Sequence, residues 1–173
     1  MVKLWKVRLC ACFLLLFPLI VRTDDLKRFD LSTPPGMGNF LVHVDMRVQM
    51  WAESLQEMDA TKLFVEYEVG KSLNDQRNDC LREVDYTREQ ISHARKTPTL
   101  LNQYFFSETI VELSHCIDKL MHRYIHPLGV HQNPDQKITL AWAKSLSPIL
   151  ASLRQIRLHY RTHLLRQLPA CSD

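Results

Sequence analysis

Glu112, His115, His122 and His126 form the array in this chain whose residue types and spacing best suit chemistry. Glu112-x-x-His115 has the i,i+3 spacing of carboxylate-bridged di-iron bundles. His122 and His126 have the i,i+4 spacing that holds zinc from one helix face. Glu108 and Lys119 complete the array, and helical geometry places all six within about 80°. Three features oppose a buried metal. The apolar seam of the same segment lies on its other side, no second Glu-x-x-His completes a di-iron set, and Lys119 would repel a cation. The array therefore reads as a solvated polar face. The alternative is a weak metal-dependent or pH-sensitive site at Glu112, His115 and His122. No metal or other cofactor is expected.

A second concentration lies near the end of the chain. Between Asp135 and Asp173 there is no acid, while Lys137, Lys144, Arg154, Arg157, Arg161 and Arg166 supply six bases. Arg154, Arg157 and Arg161 share one helical side, with His159 and His163 nearby. Such a side suits contact with an acidic partner: a receptor-like protein, a glycosaminoglycan or an anionic membrane. The competing expectation is that these bases pair within the fold with acids from Glu66 to Glu89. Nucleophile motifs are missing. The chain has no Gly-x-Ser-x-Gly, no phosphate-binding glycine loop, no His-Glu-x-x-His and no Asn-x-Ser/Thr sequon. No enzyme activity is expected.

The elements that must position these residues are helical. Phe40, Val44, Val48, Trp51, Leu55 and Met58 form one apolar stripe, and Val65, Val69, Leu73, Cys80, Val84 and Ile91 stay in phase with it. Alternation through Phe40–Met50 and Leu63–Val69 offers a β-hairpin over 40–69 as the alternative. The phase persistence favours helix, with breaks near Asp59–Thr61 and Gly70–Ser72. Thr97-Pro98 reads as a cap and a first helical residue. Phe106, Ile110, Leu113, Ile117, Leu120 and Tyr124 then recur at spacings of 4, 3, 4, 3 and 4, up to a stop at Pro127-Leu128-Gly129. Asn133-Pro134-Asp135 starts a last helix with the seam Trp142, Leu146, Ile149, Leu153, Ile156 and Tyr160, which Pro148 should kink or interrupt. Trp51, Tyr67, Phe106, Tyr124, Trp142 and Tyr160 are expected in the core.

The fold class that follows is mainly α, a compact four- or five-helix bundle. Short joints near 70, 97 and 127–133 favour antiparallel neighbours in up-down order. The two long crossovers of helical cytokines are not evident, and only 59–71 could serve as one.

The N-terminus carries the address. Lys3, Lys6 and Arg8 precede an apolar run from Leu9 to Val21, and Arg22, Thr23, Asp24 and Asp25 follow. That is the layout of a cleaved signal peptide over 1–23, with an apolar run too short to span a bilayer. The expected domains are then a flexible 24–39 segment, a helical domain over 40–168 and a tail over 169–173. Lys3, Lys6, Arg8 and Arg22 account for four of the 22 bases, leaving 18 against 19 acids, a formal charge of −1. A near-neutral mature chain argues against nucleic acid as a partner, and no transmembrane segment is expected in it.

Of five cysteines, Cys80, Cys116 and Cys171 remain after cleavage. Cys80–Cys116 is the expected disulfide, because each lies on or beside an apolar stripe. Cys171 is then free or links two chains. The function these features support is a secreted, extracellular, non-enzymatic binding protein, cytokine- or hormone-like, that touches its partner through Arg154, Arg157 and Arg161. The alternative is a carrier of a small apolar ligand between helices.

Overall fold

A computed structural model describes residues 23–63, 65–130 and 136–167. The chain folds as four long helices with no strand among the described residues: α1 (Pro34–Gln56), α2 (Tyr67–Lys96), α3 (Leu100–Lys119) and α4 (Gln136–Gln167). The 40–69 hairpin is thereby excluded. Phe40 to Leu55 are buried on one face of α1 at helical spacing, which pairing as a strand would have split between two faces.

Contacts between elements give the topology. Asp45 midway along α1 meets Arg88 in the last third of α2 at 3.1 Å, whereas Met58 just past α1 accepts from Arg77 early in α2 at 2.6 Å. Those two helices are antiparallel. The same argument from Phe106–Tyr160 and Asp118–Arg154 makes α3 and α4 antiparallel. Cys80 and Cys116 join the first half of α2 to the far end of α3. Arg47 donates to Ser152 at 2.8 Å and closes α4 onto α1. The bundle is up-down-up-down, as short joints require.

Several boundaries differ from expectation for identifiable reasons. The helix expected from Phe40 begins at Pro34, because Thr33 caps it, accepting from Gly36 N at 3.2 Å, and the two prolines fit its first turn. The 24–39 segment thus includes the start of α1. It also carries a 3-10 turn (Thr23–Arg28), and it sends Leu26, Leu31 and Met37 into the core. Gly36 serves this return of the chain, since a Cβ there would run into the Asp30 carbonyl. The break near Asp59–Thr61 is present, as a 3-10 turn (Ala60–Lys62) capped by Asp59. No break occurs at Gly70–Ser72, which lies inside α2.

Thr99, not Thr97, caps α3, accepting from Asn102 N at 3.2 Å, so Pro98 stays outside the helix. Past α3 the chain does not stop at Pro127. It passes through a π-helical turn (Leu120–Ile125) into an α-turn (His126–Val130), with His126 N–H donating to Met121. The widened turn leads into Pro127, which cannot donate to a carbonyl four residues back. Pro148 lies within α4 without interrupting it. Tyr67 and Val69, expected to be buried, are exposed at the start of α2. The signal peptide (apart from Thr23), the Asn133-Pro134-Asp135 start and the 169–173 tail with Cys171 lie outside the described residues.

The core is centred on three rings from three helices. Tyr160 stacks on Phe40 at 5.7 Å, and Phe106 meets Tyr160 edge-on at 4.9 Å. Such pairs contribute about 0.5–1.5 kcal/mol beyond area burial. The Cys80–Cys116 disulfide, with Cα atoms 5.5 Å apart, crosslinks α2 to α3 across 36 residues. Gln76 covers it, with Nε2 3.2 Å from the sulfur of Cys116. No helix among the described residues is long and apolar enough to cross a membrane.

Candidate partner-contact face

The last helix has two working sides, and the backbone separates them. Successive residues turn by about 100°, so Arg154, Leu158, Arg161 and Leu165 share an arc of about 60°. His159 and His163 lie about 130–170° further round the same turns. The first group faces solvent because the core-facing seam, Leu153, Ile156 and Tyr160, points the other way.

On the outer side, Arg154, Arg157 and Arg161 are all exposed. Arg154 lies 3.5 Å from Asp118 of α3, with most of its surface still open. Arg157 and Arg161 make no ion pair among the described residues. The acids from Glu66 to Glu89 belong to α2, which packs on α1 and α3. No pair joins them to this face among the described residues: Asp79 pairs with Arg82 and Glu89 lies beside His93, both within α2. Among the described residues, the expected internal neutralisation is therefore limited to one exposed pair with Asp118.

Two residues of this face escaped the sequence reading. Leu158 is 63% exposed and Leu165 57% exposed, set between the arginines. The sequence did hold a signal, since 154, 158, 161 and 165 repeat at spacings of 4, 3 and 4. It was masked by the stronger apolar seam of the same helix. An exposed leucine–arginine stripe can bury two apolar knobs while its bases meet carboxylates, sulfates or phosphates.

On the other side lies an open groove of about 780 Å³, between the 26–32 segment and the end of α4. Leu26, Phe29 and Leu31 form one wall and His159 and His163 contribute to the other, while Leu158 of the exposed stripe also borders the groove. The environment here disfavours the charged form of both imidazoles. Burial holds His159 below the ordinary histidine range, opposed in part by its hydrogen bond to the Phe29 backbone. Burial does the same to His163, reinforced by His159 and Arg166 and opposed by Asp30. His159 Nε2 is buried with no partner among the described residues, and His163 Nε2 accepts from Gln167 at 2.9 Å. Asp30 is held below the usual carboxylate range by side-chain and backbone hydrogen bonds from Ser32.

The α3 array is assembled as a surface, not as a chelate. Glu108, Glu112, His115, Lys119, His122 and His126 are all exposed. His122 lies 3.6 Å from Asp118, and its ring centre is 4.8 Å from that of His126. Among the described residues, no group of three His, Cys, Asp or Glu side chains is placed to hold a metal ion. No protein family, characterised protein or solved structure matches the chain.

Proposed function

We propose that this chain is an exported, non-enzymatic binding protein that engages an acidic extracellular partner through the outer face of α4. The observation that carries the reading is the Arg154–Leu165 stripe. It is solvent-exposed, free of acids along its whole helix, and studded with two largely exposed leucines. Buried apolar knobs ringed by bases suit a partner that offers carboxylates around a shallow apolar surface. A receptor-like protein meets that description. The N-terminal signal layout and the Cys80–Cys116 disulfide fit an oxidising, extracellular setting. The up-down topology sets this bundle apart from the two-crossover, up-up-down-down cytokine arrangement.

The test is saturable binding of the secreted protein to cell surfaces. Reversal of the face, Arg154→Glu with Arg157→Glu and Arg161→Glu, is expected to abolish binding while the circular dichroism spectrum and melting temperature stay near wild type. Protease treatment of the cells should remove the signal if the partner is a protein. Loss only after polysaccharide-lyase treatment would reassign it to a glycosaminoglycan. Unchanged binding by the folded reversal variant would refute the reading.

A further inference from the structure

The outer face of α3 is the charge complement of the outer face of α4. At the start of α3, Leu101, Tyr104 and Phe105 are exposed. Glu108 and Glu112 follow on the same side, exposed and without an ion pair among the described residues. One helix thus presents an aromatic patch followed by two acids, with His115 and Lys119 beyond them on the same side. Its neighbour presents leucines between three bases.

The two patterns also lie at matching heights. Phe106 meets Tyr160 at 4.9 Å and Asp118 meets Arg154 at 3.5 Å, which registers the antiparallel pair. At about 1.5 Å per residue, Glu108 lies level with Arg161 and Glu112 with Arg157, to within about one turn. Leu165 lies near the level of Tyr104 by the same rule. A two-fold axis parallel to the bundle, just outside α3 and α4, preserves every height and exchanges left for right. It sets α3 of one copy against α4 of the other. Each acid then meets a base, Leu165 meets the aromatic patch, Leu158 falls between the two acids, and the match occurs twice because the contact is isologous.

We propose that the α3–α4 face associates with the same face of a second copy as a two-fold dimer. The proposal rests on the reading of α4 as a contact face and adds its regulation. In the dimer Arg157 and Arg161 are covered, so self-association competes with the acidic partner. Exposed ion pairs are individually weak and screened by salt, so the dimer forms at high protein concentration and dissociates as ionic strength rises.

The experiment is sedimentation velocity of the full secreted chain over a range of concentrations, in low and high salt. All samples carry Cys171→Ser, which removes any covalent dimer. Wild type is expected to dimerise in low salt. Glu108→Arg with Glu112→Arg, and separately Arg157→Glu with Arg161→Glu, should each weaken association by about tenfold or more. An equimolar mixture of the two variants should restore it, because both mixed contacts again pair opposite charges. Circular dichroism verifies folding of each variant, and Leu158→Ala with Leu165→Ala weakens the dimer without changing charge. A wild type that stays monomeric, variants that both dimerise, or a mixture that fails to recover would each overturn the proposal. The partner reading is tested separately. The α3 variant keeps every α4 arginine, so its cell-surface binding persists even where its dimer is lost.

Discussion

The outer and inner sides of α4 occupy the same three turns and use the same class of residue, yet they end in opposite electrostatic states. On the outer side Arg157 and Arg161 stand in water. On the inner side His159 and His163 are pressed against Phe29, Phe40 and Tyr160, and burial disfavours their charged forms. A basic residue in this helix is therefore a solvated group or a packing group according to its position round the axis. The outer side contributes little to the fold. The inner side cannot change charge without cost to the fold.

The largest test of that contrast compares Tyr160 with Leu158, two residues apart. Tyr160→Ala removes the central ring of the aromatic cluster and is expected to lower unfolding stability by about 3–5 kcal/mol. Leu158→Ala is expected to change it by less than about 0.5 kcal/mol. Urea unfolding followed by circular dichroism measures both. Comparable losses at the two positions would break the contrast.

Acid is expected to act on the inner side next. Both histidines titrate below the ordinary value of about 6.5 when folded. The unfolded chain therefore binds more protons than the folded chain as pH falls through that value. Stability from these groups is fully present above about pH 6.5, declines as pH drops toward the folded values, and then levels off. Asp30, held below 3.8, contributes only in a separate and lower window. Melting temperature recorded from pH 7.5 to 5 should show the decline in wild type and a shallower one in His159→Gln with His163→Gln. Identical profiles would remove the inner side from the pH response.

A smaller effect has the opposite sign. The Tyr160 hydroxyl is buried with no partner among the described residues, and burial pushes its ionisation well above the usual tyrosine range. Tyr160→Phe keeps the ring and removes the orphan hydroxyl. It is expected to raise stability by about 1 kcal/mol. The smallest change is on the outer side, where Arg157→Glu with Arg161→Glu should leave the melting temperature within about two degrees of wild type. A clear destabilisation there would mean that the outer face also holds the fold.

Much of this architecture was legible because burial leaves a periodic trace. The seams Phe40–Met58, Phe106–Leu120 and Trp142–Tyr160 are buried at the positions their spacing predicted, and Cys80 and Cys116 are bonded. Boundaries were less legible where local signals compete. Thr97 and Thr99 are both plausible caps, and only the chain path selects Thr99. Gly70 reads as a break in isolation but is carried by α2. Leu26 and Leu31 looked like flexible lead-in because two isolated leucines have no period, yet the turn at Gly36 folds them back onto the bundle.

The amino-acid order by itself determined that this chain makes amphipathic helices, that its bases gather on the last of them, and that its two central cysteines lie near apolar stripes. These are local properties, set by spacing along one helix. Only the tertiary structure decided which bases stay solvated and which imidazoles are buried, that Asp118 lies beside Arg154, and that no acid of α2 pairs with this face among the described residues. Those outcomes depend on which helices are neighbours. Adjacency in a bundle arises from the joint packing of all four seams, which no single segment encodes.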